Sequence, residues 1–262
     1  QNKSDFCVIG GGFIGSEIAA ALNKQGNNVT MLFPETGISG LRFPDDLAQF
    51  LNAYYEERGI AILNGHLVDS IEKQGDGYRV KYKAVNSNNT EEKHFDGVIV
   101  GIGIRPDLDL AKEAELKVDD GIVVNEFLQT DDPDIFAAGD VANFLNIPLG
   151  KRMRVEHEDN ANQMGTVAGR NMTGEMQVYD HMPFFYSDLF DLGYEAVGEM
   201  NKDFTIIEDW ITPFKKGTIY FLHNNRVKGV IFWNLWGKVD QGTELIKEEK
   251  AFQPSELKGR FS

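Results

Sequence analysis

The sequence contains a single cysteine, Cys7, and no long apolar run. One cysteine excludes an internal disulfide, a CxxC redox pair and a cysteine-based zinc site within these 262 residues. The longest apolar runs are far shorter than the ~20 residues that a membrane-spanning helix needs, so we expect no membrane span. The polar start, Gln1 to Asp5, shows no signal-peptide pattern. These features are typical of a reducing compartment, and the cytoplasm is the expected location.

Basic residues are also scarce. The chain has 26 Lys and Arg against 41 Asp and Glu, which gives a formal net charge of −15 at pH 7. The densest basic cluster, Lys151 to Arg154, is followed almost at once by acidic residues. Nonspecific binding to a nucleic-acid backbone requires a positive surface, so we expect no nucleic-acid partner.

The sequence does contain a glycine-rich turn after the apolar run Phe6 to Ile9. Gly10, Gly12 and Gly15 have GxGxxG spacing. In a dinucleotide-binding turn the first glycine permits the tight turn and the second lets the backbone approach a pyrophosphate. The third glycine allows close packing of helix on strand. The N–H groups at the start of the helix then face the anion.

The helix after this turn is predicted from apolar residues at helical spacing. Ile14, Ile18 and Leu22 recur on one face, which we expect to be buried. Gly26 is expected to cap the helix at its C-terminus, and a second strand follows at Val29 to Phe33. This strand–turn–helix–strand context favours a nucleotide-binding domain, and an ordinary strand–helix turn is the alternative.

Glu35 lies 20 residues after Gly15, where an acidic residue contacts the adenosine ribose in such domains. A carboxylate there accepts hydrogen bonds from the 2′-hydroxyl and repels a 2′-phosphate, which favours NAD over NADP. Two alternatives remain. The segment FPETG has a composition typical of a turn, so Glu35 could be an ordinary turn residue. Arg42 could also bind a 2′-phosphate, which would favour NADP.

Within the next segment, Asp45 to Ile60, apolar residues at helical spacing predict a helix that stops at Gly59, and a strand follows. Residues 68–100 alternate apolar and polar residues around turns, as in an antiparallel meander inserted between parallel strands. A buried strand and a glycine-rich turn at Gly101 and Gly103 end this unit.

Asp140 follows a threonine, a proline-containing turn and a short apolar run, so we expect it at the tip of a strand. Ligands of open α/β sheets lie beyond the carboxyl ends of strands, which makes Asp140 a candidate site residue. A helix-capping aspartate is the alternative. The segment that follows predicts a helix with an acidic first turn and with these residues facing inward: Ala161, Met164, Ala168 and Met172.

The amino-acid composition changes from about Val178, where aromatic residues become frequent. A β-hairpin is predicted around Asn224 and Asn225. This part is expected to be a separate α+β module with no catalytic signature of its own.

Together, several motifs resemble the FAD-dependent pyridine-nucleotide oxidoreductases, and within them the apoptosis-inducing-factor-like and ferredoxin-reductase-like members. The motifs are CVIGGGFIGSEIA, LFPETG, IVGIGIRPD, IFAAGDVA, RVEHEDNA, FYSDL and GYEAVG. The resemblance implies an α/β fold: a Rossmann-like parallel sheet with an inserted antiparallel meander, the second part of an FAD domain, and a C-terminal α+β domain. The implied boundaries are 1–125 for the NAD domain, 126–175 for the FAD part and 176–262 for the C-terminal domain, through which a homodimer could form.

The resemblance also implies the roles of individual residues. NAD would be contacted by Gly10, Gly12, Phe13, Ile14, Gly15, Glu35 and Gly103, and FAD by Asp140, Glu156, His157 and Glu158. Tyr186 would lie over the ring system and Glu195 near the carboxamide. The residues closest to the chemistry would be Phe13, Glu17 and His157, and no metal is implied.

The activity that the resemblance implies is transfer of a hydride from NADH to FAD and of electrons to an acceptor such as a quinone, ferredoxin or oxygen. The alternative function is an NADH-sensing flavoprotein that acts as a redox-controlled binding module. A mitochondrial location is the alternative to the cytoplasm. The family's first GxGxxG, in an N-terminal FAD-binding segment, is missing from this sequence. We therefore expect half a flavin site and weak flavin retention by this chain alone.

Overall fold

The computed structural model describes residues 3–261, which divide into two compact units. The first unit contains the residues up to Gly103, together with the short segments Ser187–Gly193 and Asn201–Asp203. The second contains Ile104–Tyr186, Tyr194–Met200 and the residues from Phe204 onward.

The first unit is a parallel sheet with an antiparallel meander. Its elements are β1 (Asp5–Ile9), α1 (Phe13–Lys24), β2 (Asn28–Phe33), α2 (Asp45–Glu56), β3 (Ile60–Asn64), β4 (His66–Gln74), β5 (Gly77–Ala84), β6 (Thr90–Phe95) and β7 (Gly97–Val100). The parallel sheet has the order β3-β2-β1-β7, and β4-β5-β6 form the meander. This order places the carboxyl end of β1, where the glycine turn begins, between two neighbouring strands.

The meander packs its apolar face onto the parallel sheet. Val80, Tyr82 and Phe95 form one buried cluster with Cys7 and Leu32 of the sheet. The antiparallel meander predicted within residues 68–100 is therefore confirmed over β4 to β6, whereas Gly97–Val100 form a parallel strand beside β1. β7 is only half-buried and Val100 is exposed, so the expectation of a buried strand there was wrong.

The buried face of α1 differs from the predicted one. Gly15, Ser16, Ala19 and Ala20 face inward, whereas the Ile14 side chain is 60% exposed. Small side chains let the helix axis approach the sheet closely, so the small residues face the sheet and the larger Ile14 does not. The predicted end is confirmed: Gly26 follows the helix with a φ of +89°.

The second unit contains a three-stranded sheet, a five-stranded sheet and four helices. Its elements are α3 (Asp109–Glu113), β8 (Ile122–Val123), β9 (Ala142–Asn146), β10 (Lys151–Met153), α4 (Glu158–Met172), β11 (Phe184–Leu189), β12 (Leu192–Gly198), β13 (Thr205–Thr212), β14 (Lys216–His223), β15 (Arg226–Trp233), α5 (Val239–Lys247) and α6 (Pro254–Leu257). The tip of the β11–β12 hairpin, residues 187–193, clusters with the first unit.

The sheets of the second unit have the orders β10-β9-β8 and β11-β12-β15-β14-β13. The hairpin predicted at Asn224 and Asn225 is confirmed, since both residues have positive φ and join β14 to β15. Both φ values lie near 60°, as the right-handed twist of the flanking strands favours in a two-residue loop.

The inward face of α4 also differs from the predicted one. Met164 and Ala168 are buried as expected, but Met172 is 67% exposed. Asn160 and Asn171 are buried instead, and their amide groups are satisfied by hydrogen bonds. A polar side chain can replace an apolar one in a core when all its bonds are made, which apolar spacing alone does not reveal.

Candidate functional site

The three glycines after β1 have the packing that a dinucleotide-binding turn requires. A Cβ on Gly10 would lie 2.1 Å from the carbonyl oxygen of Gly101, and φ at Gly10 is +112°. A Cβ on Gly15 would lie 2.1 Å from the carbonyl oxygen of Gly10. Gly12 is different, because a Cβ there would meet no atom within 4 Å. Backbone packing thus fixes the first and third glycines, and the second faces open space.

The start of α1 is suited to an anion. Gly12 is the N-cap residue, and its carbonyl oxygen accepts a hydrogen bond from Ser16 N at 2.9 Å. No side chain caps this end, and the first turn contains no acidic residue. The positive end of the helix dipole is therefore not neutralised by a local carboxylate.

The loop after β2 lies against the glycine turn. Ser39 N donates a hydrogen bond to the carbonyl oxygen of Gly11 at 2.7 Å. Asn52 of α2 braces the loop, because its Oδ1 accepts from Ile38 N at 3.0 Å and its amide nitrogen donates to the Thr36 carbonyl oxygen. The half-buried Glu35 thus belongs to a loop that is tied directly to the proposed phosphate-binding turn.

The remaining candidates in the first unit have mixed environments. The Phe13 ring contacts the buried Phe43 ring with centroids 6.2 Å apart, and Ile14 is exposed. Glu17 Oε1 accepts a hydrogen bond from the buried Ser187 hydroxyl at 2.5 Å. Gly103 is exposed, with a φ of +97°.

Sequence patterns did not indicate the contact between α2 and the hairpin tip. Asp191 accepts hydrogen bonds from the Tyr54 hydroxyl and from Arg58 Nη2, the latter at 2.6 Å. The Arg58 guanidinium lies 3.5 Å from the Tyr54 ring centroid, and the Phe190 ring packs edge-on against Tyr55 at 5.1 Å. Burial and the hydrogen bond to Asp191 raise the pKa of Tyr54 to about 12. The hydrogen bonds from Tyr54 and Arg58 lower the pKa of the Asp191 carboxyl.

Asp191→Asn is expected to destabilise the protein at pH 7 by about 1 kcal/mol, because the Asp191 side chain is exposed and its ion pair is screened. The folded-state pKa of Asp191 is depressed, so its stabilisation is present above its ordinary value of ~3.9 and is lost as pH falls below it. Urea unfolding of wild type and variant at pH 7 and at about pH 3 measures this. A difference of equal size at both pH values would contradict the assignment.

The candidates in the second unit gather at the start of α4. His157 is the N-cap residue, and its ring stacks on Phe185 with centroids 4.3 Å apart at an angle of 12°. Glu156 accepts a hydrogen bond from Arg154 Nη1 at 2.5 Å. The same guanidinium nitrogen donates to the Asp140 carbonyl oxygen at 3.0 Å. Arg154 therefore joins the Asp140 backbone to the Glu156 carboxylate.

Asp140 is not at the tip of a strand. Gly139–Val141 form a single 3-10 turn that leads into β9, and the preceding segment forms only an isolated bridge between Gln129 and Phe136. The positive φ of Gly139, +76°, bends the chain there and exposes Asp140.

The last three candidates have different surroundings. Glu158 is exposed in the first turn of α4, and Tyr186 is 59% exposed on β11. Glu195 Oε2 accepts hydrogen bonds from Gly237 N at 2.8 Å and Lys238 N at 3.3 Å. Glu195 therefore anchors the loop before α5.

Three further findings concern features outside these sets of residues. Among residues 3–261, no group of three His, Cys, Asp or Glu could hold a metal ion, and no helix is long and apolar enough to cross a membrane. Burial raises the pKa of Cys7 to about 12, so its thiol stays protonated at neutral pH and acts as a core residue.

Comparison with known proteins identifies the family. A model of the pyridine nucleotide-disulphide oxidoreductase family matches residues 1–165. Apoptosis-inducing factor 1 of Dictyostelium discoideum is 34% identical over 94% of this chain and 49% of its own length. Monodehydroascorbate reductase 3 of Arabidopsis thaliana is 33% identical over 95% of this chain and 56% of its own length.

Solved structures agree with the fold. A ferredoxin reductase from Rhodopseudomonas palustris superimposes with a TM-score of 0.86 at 26% identity, covering 98% of this chain and 63% of that one. The predicted α/β fold class is thereby confirmed. The chain spans about half the length of the curated relatives it matches. The strand–turn–helix geometry at Gly10–Gly15 and these matches agree, and the chain belongs to the pyridine nucleotide-disulphide oxidoreductase family.

Proposed function

We propose that this chain binds NADH at the glycine turn and is part of an FAD-dependent oxidoreductase. The observation that supports this most directly is the contrast among three glycines: Gly10 and Gly15 are locked against backbone, while Gly12 faces open space. A pyrophosphate can approach the backbone only at such a position. One relative, 34% identical over 73% of this chain, is the ferredoxin–NAD(+) reductase component of a Burkholderia cepacia dioxygenase system.

The first unit would hold the nicotinamide nucleotide. Backbone N–H groups at the start of α1 would bind the pyrophosphate, and the Glu35 carboxylate would accept hydrogen bonds from the adenosine ribose. Phe13 and Gly103 are proposed for the nicotinamide end, and Ile14 for the exposed side of the turn. Ser187 would hold the Glu17 carboxylate in one orientation through its hydrogen bond.

The second unit would contribute flavin contacts. Arg154 bonds to the Asp140 carbonyl oxygen and to the Glu156 carboxylate, and His157 directly follows Glu156, which suits the three residues to a shared ligand. His157 lies at the N-terminus of a 15-residue helix, whose dipole favours negative charge nearby. The remaining proposed contacts are Glu158, Tyr186 and Glu195 Oε1, since Glu195 Oε2 is engaged by the backbone.

When bound, NADH and FAD supply the hydride-transfer chemistry, and the residues of this chain bind, orient and shield them. Thiol chemistry is not part of the proposal, because Cys7 is buried and protonated and has no second cysteine in this sequence. The electron acceptor is proposed to be a ferredoxin, a quinone or oxygen.

Glu35→Ala is expected to weaken NADH binding about tenfold and to reduce discrimination against NADPH, since a charged hydrogen-bond acceptor and its repulsion of a 2′-phosphate are lost. Titration of both nucleotides into wild type and variant measures this. Arg42→Ala is the matched control and should leave NADH affinity unchanged. If wild type binds NADPH as tightly as NADH, the ribose assignment to Glu35 fails and Arg42 becomes the candidate.

A second candidate function is a redox-controlled binding module, which the 34% identity to the Dictyostelium apoptosis-inducing factor supports. Turnover separates the two functions. NADH oxidation by the complete, FAD-containing protein with ferricyanide, quinone or ferredoxin should reach ~1–10³ s⁻¹ for an enzyme. Turnover far below that range, together with a long-lived reduced complex, would favour the binding module.

A further inference from the structure

One buried hydroxyl beside the glycine turn has no hydrogen-bond partner within the described part of the chain. Ser39 is 4% exposed, and its Oγ is buried without a partner. A buried polar group that makes no hydrogen bond loses its hydration without compensation. Its backbone is unfavourable as well, because φ is 56°, in the left-handed region that non-glycine residues avoid. Unfavourable features of this kind concentrate at ligand-binding sites, where a bound molecule compensates for them.

The backbone of Ser39 is tied to the turn on one side and to its own loop on the other. Its N–H donates to the Gly11 carbonyl oxygen at 2.7 Å, and Gly11 directly precedes the open Gly12. Its carbonyl oxygen accepts from Arg42 N at 2.8 Å and from Phe43 N at 3.0 Å. These bonds hold the residue beside the turn, so the hydroxyl can reach a partner only through rotation about χ1 or a small shift of the loop.

We propose that Ser39 is a nucleotide-binding residue whose hydroxyl bonds to a phosphate or ribose oxygen in the adenosine half of the dinucleotide. This rests on the proposed function. A serine hydroxyl both donates and accepts, so it can pair with a phosphate oxygen or a ribose hydroxyl. The loop of Ser39 also contains Glu35, the proposed ribose acceptor, and the loop is bonded to the proposed pyrophosphate turn. The hydroxyl then gains its missing partner when the nucleotide binds.

Two variants separate this role from a structural one. Ser39→Ala removes the unpaired hydroxyl, and Ser39→Gly removes it and also accommodates the positive φ. Both should raise the midpoint of thermal unfolding of the nucleotide-free protein by about 2–4 °C. Both should also weaken NADH binding about fivefold, the loss expected for one hydrogen bond. A residue that only supports the loop cannot give higher stability and weaker binding together.

The experiment combines thermal unfolding of the nucleotide-free protein with calorimetric titration of NADH. Ser70→Ala, in β4 of the same unit, is the control and should leave NADH affinity at the wild-type value. If wild type binds NADH and both Ser39 variants have NADH affinities within about twofold of the wild-type value, this inference is overturned and the proposed function is not. Lower unfolding midpoints overturn it as well, because they show that the hydroxyl stabilises the free protein. Wild type that does not bind NADH overturns the proposed function and this inference with it.

Discussion

Gly10→Ala is expected to destabilise the protein by about 3 kcal/mol or more and to prevent NADH binding. The new methyl group would lie 2.1 Å from the Gly101 carbonyl oxygen, a contact that no side-chain rotation can relieve because the neighbour is backbone. The positive φ of +112° adds strain for any residue with a Cβ. Urea unfolding followed by circular dichroism measures the loss.

Gly26→Ala is the matched control for this change. Gly26 also has a positive φ, +89°, but a Cβ there would meet no atom within 4 Å. Its substitution should therefore show only the cost of the backbone conformation, about 1 kcal/mol. If the two variants lose equal stability, the close approach of Gly10 to Gly101 is not what requires glycine at position 10.

Gly12→Ala is expected to weaken NADH binding by about 10–150-fold, while the protein loses about 1 kcal/mol or less. The methyl group meets nothing in the nucleotide-free protein, and the backbone there has an ordinary φ of −76°. The added volume instead occupies the space through which a pyrophosphate would approach. Titration of NADH, combined with urea unfolding, separates the two effects.

Gly169→Ala on α4 provides the control for an added methyl group. A Cβ on Gly169 also meets no atom within 4 Å, and the residue lies outside the proposed nucleotide site. This variant should bind NADH like wild type and be up to about 1 kcal/mol more stable, because alanine favours the helix. Wild-type NADH affinity in Gly12→Ala would show that the pyrophosphate lies elsewhere.

The local features of the glycine turn and of the β14–β15 hairpin were predictable because they depend on neighbours along the chain. The apolar run before Gly10 formed β1, and the glycine spacing marked the turn. Gly26 ended α1, and the Asn224–Asn225 pair formed its hairpin. The strand follows from a short apolar run, and the turns follow from the conformational range of one or two residues.

Which apolar residues are buried was less predictable. Ile14 and Met172 have helical spacing that suits a core, yet both are exposed. Asn160 and Asn171 occupy buried positions, because their amides are satisfied by hydrogen bonds to the carbonyl oxygens of Val155 and of the distant Phe127, respectively. Helical spacing defines an apolar stripe along the helix. The element that packs against the helix decides which residues of that stripe become buried.

The sequence by itself determined the strand–turn–helix unit, the position of Glu35 in the loop after β2, the inserted meander and the family resemblance. All of these are expressed in local spacing and residue type. Only the tertiary structure decided that Asp191 bonds to Tyr54, 137 positions away in the chain, and that Ser187 bonds to Glu17. It also decided that a Cβ would have space at Gly12 but would clash with backbone at Gly10. The same holds for the Ser39 hydroxyl, which is buried without a hydrogen-bond partner. The physical reason is that such contacts depend on the path of the whole chain through space, which no local preference specifies.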